Sequence, residues 1–237
     1  MNRFGVLVLV LCCALLAFVA CGDDDEDIPT GQATTAAAGA TTPPVGSSNC
    51  QEPTGDAPDP NMKTFDSAPS VDTIDASKTY IATVETVRGT FKIKLRPDLA
   101  PKHVASFVFL ANEDYFNGVT FHRVVPGFVA QAGDPTGSGS GGPGYTIPAE
   151  FTTTVQYARG TVGMARLSVD DGNTRAEDTA GSQWFITFGA TPSLDGQYTI
   201  FGEVTEGMEV VDCITPRDPR SAQAPGDKII SITIEES

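Results

Sequence analysis

The chain has 237 residues, a formal net charge of −15, two histidines and five cysteines. That length suits one or two domains, and the apolar residues, with thirteen phenylalanines among them, are enough for one sizeable core. The acidic balance excludes nucleic acid as an expected partner, because phosphate backbones are bound by an excess of Lys and Arg. With only His103 and His122, chemistry that depends on histidine is restricted from the outset.

The first twenty residues combine an early basic residue, Arg3, with a long apolar run, which is typical of an export signal. The sequence AFVACGDDDED resembles the end of a bacterial lipoprotein signal, with Ala20 before Cys21 and Gly22 after it. The resemblance implies a signal peptide at residues 1–20, lipid on the Cys21 sulfur, and a lipoprotein anchored outside the cytoplasm at the cell membrane. The alternative is an uncleaved transmembrane anchor, since the run approaches spanning length.

The segment that follows, residues 21–64, is rich in Thr, Ala, Gly, Pro and Asp and has almost no large apolar side chain. Such a segment cannot bury enough surface to offset its ordering entropy, so it is predicted to be a disordered tether before a folded domain at residues 65–237. In an exported chain, Cys50 and Cys213 remain as a pair in an oxidising compartment. They could form a disulfide, or Cys213 could be a buried free thiol.

The folded part opens with TYIATVETVRGTFKIKLRP, which predicts two strands around a turn. Phe91, Ile93 and Leu95 alternate with lysines, the period of a half-buried strand. A helix is predicted over APKHVASFVFLANEDYF, where apolar residues recur at helical spacing and Pro101 suits the first turn. His103 lies off that apolar stripe and is predicted to be exposed and without a role.

After this helix, short β-like runs alternate with glycine-rich turns, a pattern typical of a sandwich or a closed barrel. A second short helix is predicted over TEGMEVVDCI, and GDPTGSGSGGPGYTIPAEF is predicted to be a surface loop without the Lys-Ser/Thr ending of a phosphate-binding loop. The predicted strands are VTFHRVV, FVAQAGD, GTVGMAR, SQWFITFG, YTIFGEV and KIISITIEE.

The residue types present limit the chemistry. The chain has no Gly-x-Ser-x-Gly motif for a nucleophilic serine, and its histidines and cysteines do not cluster as metal ligands do. What remains is a non-covalent site built from arginine, glutamine and aromatic residues. The stretch FHRVVPGFVAQAGD contains all three types of residue.

That stretch, followed in order by GTVGMAR, GSQWFITF and LDGQYTIFGEV, resembles the cyclophilin family of peptidyl-prolyl cis-trans isomerases. The resemblance covers Tyr80 to Glu235. It implies a mainly β fold, a closed eight-stranded antiparallel barrel capped by two α-helices, and rotation about X-Pro bonds in segments of exported proteins. It implies no cofactor and no metal, and we expect a monomer.

The resemblance also implies a role for particular residues. Arg123, Phe128 and Gln131 match the catalytic arginine, the aromatic floor and the glutamine that binds the substrate backbone. Phe185 matches the same aromatic floor, and Val129 stands where the family usually has Met. The remaining positions that match the substrate groove are His122, Met164, Ala165, Arg166, Gln183, Leu194 and Tyr198.

Four further departures from the family pattern qualify the resemblance. Ser193 stands where many eukaryotic members have Trp, which predicts weak cyclosporin binding, and Tyr198 stands where those members have His. Arg166 holds a position often occupied by Asn. The stretch from Arg166 to Ala180 is longer than the usual link and acidic, and it could favour basic substrates or be neutral surface.

Two hypotheses follow from these residues. The first is a membrane-tethered isomerase that assists the folding of exported proteins. The second is a catalytically weak cyclophilin-like peptide-binding module or chaperone. The presence of Arg123 together with Gln131 favours the enzyme, because a binding module has no need of the arginine.

Overall fold

A computed structural model of the chain describes residues 50, 52–166 and 176–237. The predicted signal peptide, the predicted lipidation site at Cys21, most of the predicted tether and the centre of the acidic 166–180 stretch lie outside these residues. Within them, no helix is both long and apolar enough to cross a membrane. The same residues contain no group of three or more His, Cys, Asp or Glu side chains placed to hold a metal ion.

Eight antiparallel strands form one sheet in the order β3-β4-β6-β5-β7-β2-β1-β8. The predicted alternation in β2 is confirmed, with Phe91, Ile93 and Leu95 buried. The strands are β1 (Tyr80–Thr86), β2 (Gly89–Leu95), β3 (Arg123–Val125), β4 (Val129–Ala132), β5 (Thr161–Met164), β6 (Trp184–Thr187), β7 (Ile200–Glu206) and β8 (Ile229–Glu236).

The closed barrel implied by the family resemblance is wrong for this structure. Among the described residues no ladder joins the edge strands β3 and β8, so the sheet is an open half-barrel. Across the gap, isolated bridges outside the ladders pair Thr120 with Lys228 and Val124 with Arg217. The residues between α1 and β3 and the loop before β8 therefore occupy the place where a ladder would close the barrel.

Two α-helices accompany the sheet, α1 (Pro101–Asn112) and α2 (Met208–Asp212), as the sequence predicted. The prediction that His103 is exposed is wrong. Its side chain is fully buried, and its Nδ1 lies 2.7 Å from a carboxylate oxygen of Glu150. Glu150 also accepts the backbone N–H groups of Lys102 and His103, so it serves as an N-terminal cap supplied by a distant loop.

The core lies between α1 and one face of the sheet. Trp184 of β6 is its largest buried side chain, with Phe107 of α1 at 5.9 Å and Phe121 at 5.9 Å between ring centroids. Both contacts are edge-to-face, a favoured arrangement for aromatic rings. Phe121, which was predicted to belong to the core, is fully buried, so the first residue of the FHRVVPGFVAQAGD stretch, two positions before β3, packs into the core.

A segment before β1 lies against the domain and is fixed at its start by a disulfide between Cys50 and Cys213, whose Cα atoms are 5.3 Å apart. Of the two alternatives for Cys213, the structure therefore has the disulfide. We call residues 52–65 the N-terminal strap. The Thr54 N–H donates to the Val87 carbonyl at 2.7 Å, and the Phe65 N–H donates to the Pro143 carbonyl at 2.8 Å. Contacts with the domain thus begin before the boundary predicted at residue 65.

Candidate active site

Two polar side chains of the site lie opposite each other on the adjacent strands β3 and β4. Arg123 opens β3 and stands opposite Gln131 of β4 in the ladder. Its Nη1 donates to Gln131 Oε1 at 3.5 Å, and its guanidinium carbon is 5.7 Å from the centroid of the Phe128 ring. The short turn between β3 and β4 therefore places a cation, an amide and an aromatic face side by side.

The side chain of Gln131 is held from its other side. Its Nε2 donates to Gln183 Oε1 at 3.0 Å. Gln183 in turn donates to the carbonyls of Gly139 at 3.0 Å and Gly141 at 2.9 Å. This chain of hydrogen bonds runs from the glycine-rich loop to Arg123 and fixes the amide orientation of Gln131, because each amide oxygen and nitrogen has a defined partner.

Beside the Arg123–Gln131 pair lies a cluster of apolar side chains separate from the main core, which we call the site pocket. Phe185 of β6 is at its centre, stacked on Tyr157 at 5.7 Å and edge-on to Tyr198 at 5.8 Å between ring centroids. The predicted groove residues that the structure brings into this cluster are Phe128, Val129, Ala165, Phe185, Leu194 and Tyr198.

Three of the predicted groove residues lie elsewhere. Met164 is buried in the main core, opposite Trp184. His122 is also buried, beneath the site, and neither ring nitrogen has a hydrogen-bond partner among the described residues. Arg166 lies at the rim, where its Nε donates to the Gln197 carbonyl at 3.0 Å and its guanidinium lies 4.7 Å from the Tyr198 ring centroid.

Burial and local hydrogen bonds act on the pKa of two groups beneath the site. It lowers the pKa of His122 below its ordinary value, although the negative charge of Asp134 opposes the shift. For Asp134 itself, burial alone would raise the pKa, but hydrogen bonds from Thr136, Gly141 and Gly139 outweigh it, and the pKa is lowered. Asp134 is therefore an anion that folds the glycine-rich loop around itself, with the Gly139 N–H at 2.6 Å.

The sequence reasoning missed two residues of the site pocket. Tyr157 lies in an irregular loop, so no periodic pattern marked it; its ring supports Phe185, and burial raises the pKa of its hydroxyl. Gly163 of β5 lies against both rings, since a Cβ there would lie 2.6 Å from Phe185 Cζ and 2.3 Å from the Tyr157 oxygen. The glycine within the GTVGMAR block was the available signal for this close approach.

A cavity of about 660 Å³ adjoins the site pocket on the side of Gln131. The glycine-rich loop forms one wall, from Gly139 to Thr146, and Ala165, Arg166 and Gln183 lie on the other. The site thus offers a group of apolar side chains, a guanidinium and an amide beside it, and open space along which a peptide backbone can extend.

The fold and this site together define a class of protein, the cyclophilin-type peptidyl-prolyl isomerases. The family model described as "Cyclophilin type peptidyl-prolyl cis-trans isomerase/CLD" matches residues 81–234. The chain belongs to that family. It is a peptidyl-prolyl cis-trans isomerase, which catalyses rotation about X-Pro peptide bonds.

Individual relatives agree with this assignment. A peptidyl-prolyl cis-trans isomerase of Helicobacter pylori is 42% identical over 147 residues, which cover 61% of this chain and 85% of the relative. A probable peptidyl-prolyl cis-trans isomerase of Brucella suis is 44% identical over 161 residues, covering 62% of this chain and 78% of the relative.

Solved structures give the same result. The crystal structure of a Cryptosporidium parvum cyclophilin-type isomerase superposes with a TM-score of 0.59 at 30% identity, covering 67% of this chain and 99% of the other. A crystal structure of the same protein in the presence of the dipeptide Ala-Pro has a TM-score of 0.58 at 32% identity, and covers 66% of this chain and 99% of the other.

Proposed function

We propose that Arg123 supplies the catalytic donor of this isomerase, that the site pocket grips the prolyl ring, and that the enzyme is held outside the cytoplasm by lipid on Cys21. The observation that supports the catalytic role is the position of the Arg123 guanidinium, beside both the Gln131 amide and the Phe128 ring. The substrates proposed are proline-containing segments of exported proteins.

The barrier that the enzyme must lower comes from amide resonance. An X-Pro bond prefers trans by only about 0.5–1 kcal/mol, yet rotation costs about 20 kcal/mol. In the twisted transition state the prolyl nitrogen becomes pyramidal and gains a lone pair. Arg123 can donate to that lone pair while remaining charged, whereas the planar amide offers it no acceptor. The interaction therefore strengthens at the transition state, which is the condition for catalysis.

The neighbours of Arg123 make that donation effective. Phe128 and Phe185 exclude water from the ring site, so the charge of the guanidinium is less screened there than in bulk solvent. Gln131 keeps one side of the peptide in place while the other side rotates, and its own orientation is held by Gln183. His122 and Met164, both buried, support the shape of the site without contacting the peptide.

The activity is tested with a short Ala-Pro-Phe peptide, whose cis–trans exchange is followed by exchange NMR. We expect the full chain in mild detergent to speed the exchange well beyond the uncatalysed time of tens of seconds at 25 °C. A rate equal to the uncatalysed one would favour the alternative, a cyclophilin-like peptide-binding module or chaperone.

The anchor is supported by the sequence around Cys21, in which a small residue precedes the cysteine and an acidic tract follows it. Mass spectrometry of the N-terminal peptide from cells that express the chain should find acyl groups on Cys21, and Cys21→Ser should release the protein from the membrane fraction. If Cys21→Ser stays in the membrane with an intact N-terminus, the uncleaved anchor replaces the lipid in the proposal.

Weak cyclosporin binding remains part of the proposal. Ser193 is exposed at the rim of the site pocket, next to Leu194, where it offers far less apolar surface than a tryptophan. Ser193→Trp should therefore raise cyclosporin affinity by about tenfold or more, since a buried aromatic ring contributes more than 1.4 kcal/mol. A wild-type affinity equal to that of a sensitive eukaryotic cyclophilin would refute this prediction.

A further inference from the structure

A second cavity, of about 780 Å³, adjoins Arg123 on the side away from Gln131. It lies between β3 and the loop 216–220. Arg123 lines this cavity and Gln131 lines the first one, and the two residues face each other across the β3–β4 ladder. The two cavities therefore meet the site from opposite sides of this pair. The lining residues are Arg123, Val124, Val125, Pro126, Ser138 and Pro216 to Arg220.

Arg217 is held rigidly in the wall of this second cavity. Its backbone N–H and carbonyl both bond to Val124, at 3.0 and 2.8 Å. Its Nε donates to the Ala224 carbonyl at 3.1 Å, and its Nη1 donates to the His122 carbonyl. All of these acceptors are neutral, so the guanidinium is positioned without being neutralised.

Arg220 is exposed at the rim. Across residues 50, 52–166 and 176–237, neither Arg217 nor Arg220 has a carboxylate within ion-pair distance, and the same is true of Arg123. The one acid of the lining, Asp218, is engaged in its own turn, where its carboxylate accepts the Arg220 N–H at 2.9 Å.

The charge of this cavity is opposite to that of the protein. Three arginines and one aspartate line it, in a chain that has 30 acidic and only 15 basic residues. A surface with an acidic net charge repels acidic ligands at long range, so a local group of cations decides where such a ligand can approach. Guanidinium groups match carboxylates with two parallel hydrogen bonds.

We propose that this arginine-lined cavity, defined by Arg123, Arg217 and Arg220, selects substrates that carry an acidic side chain on one flank of the proline. The flank is the one that extends away from Gln131, because the cavity lies on that side of Arg123. The inference rests on the proposed function, since it requires the proline to occupy the site pocket. It makes Arg217 and Arg220 specificity-determining residues.

The test uses the full chain in mild detergent and Ala-Pro-Phe peptides that carry Glu or Gln one, two or three residues before or after the proline. The catalysed exchange rate is measured by exchange NMR for each Glu peptide and its Gln partner. We expect Glu to be favoured about fivefold on one flank only, which corresponds to about 1 kcal/mol. The ratio of the Glu rate to the Gln rate should fall toward one at about 1 M salt, where the Debye length is about 3 Å.

Two variants of Arg220 assign the preference to the cavity. Arg220→Gln should lower the Glu-to-Gln ratio on that flank, and Arg220→Glu should lower it below one, in favour of Gln. Lys102→Gln removes one exposed positive charge on α1 without touching either cavity, so it should keep the wild-type ratio.

Equal rates for Glu and Gln at every position would overturn the inference, as would a ratio that both Arg220 variants leave unchanged. These outcomes leave the isomerase mechanism intact, because they concern only the ratio. A wild type that fails to speed exchange of the neutral Gln peptides would instead overturn the proposed function, and this inference with it.

Discussion

Removing the disulfide between Cys50 and Cys213 should lower the free energy of unfolding by several kcal/mol. The bond joins residues separated by 163 positions, so it closes a loop that contains strands β1 to β7. The loop-closure entropy of an unfolded chain with a cross-link of that length corresponds to about 5 kcal/mol at 25 °C. The folded state should lose little, because the N-terminal strap keeps its own hydrogen bonds, such as Thr54 to Val87.

The double variant Cys50→Ser, Cys213→Ser is compared with the wild type by denaturant unfolding, with the midpoint and slope both fitted. We expect a loss of about 3–5 kcal/mol. A reducing agent should produce a similar loss in the wild type and none in the double variant, which is the control. Turnover of a short peptide below the unfolding transition should be unchanged, because Cys213 follows α2 and lies outside the site pocket. A stability change below about 1 kcal/mol would refute the loop-entropy reasoning.

Two further predictions concern residues beneath the site. Gly133→Ala should destabilise the fold by at least about 2 kcal/mol more than Gly127→Ala. Both glycines have positive φ, but only at Gly133 would a Cβ meet a backbone oxygen, that of Ser182, at 2.1 Å. Equal losses of the free energy of unfolding, measured with denaturant, would contradict this. Because the pKa of His122 is lowered in the folded state, the unfolded chain binds a proton as pH falls through 6.5 while His122 in the folded state stays neutral. The free energy of unfolding should therefore fall on acidification from about pH 7.5 to about pH 5.5. His122→Gln should lose less stability over that range, and an equal loss would show that His122 does not contribute.

The regular elements could be predicted from the sequence because local patterns specify them. The alternation of Phe91, Ile93 and Leu95 follows from a strand with one buried face, and α1 follows from its apolar stripe and Pro101. The short strands around Arg123 and Gln131 carry little periodicity. Their function was predicted from the family resemblance, and the structure places the two side chains beside each other.

The failures have a common cause, which is contact between residues far apart in the chain. His103 was predicted to be exposed because it lies off the apolar stripe, yet Glu150, 47 residues away in the chain, lies 2.7 Å from its Nδ1 inside the fold. Tyr157 lies in an irregular loop, and only the tertiary fold brings its ring onto Phe185. The open edge between β3 and β8 likewise depends on how the ends of the sheet meet, which no local pattern records.

The central claim is that the guanidinium of Arg123 stabilises the twisted amide, and Arg123→Ala tests it most directly. Exchange NMR on an Ala-Pro-Phe peptide is recorded for the wild type, for Arg123→Ala and for the control Lys102→Gln. Loss of one donor to developing charge should lower kcat/KM by about 100- to 1,000-fold, with Lys102→Gln unchanged. A rate for Arg123→Ala within about twofold of the wild type, which corresponds to less than about 0.5 kcal/mol, would contradict the account.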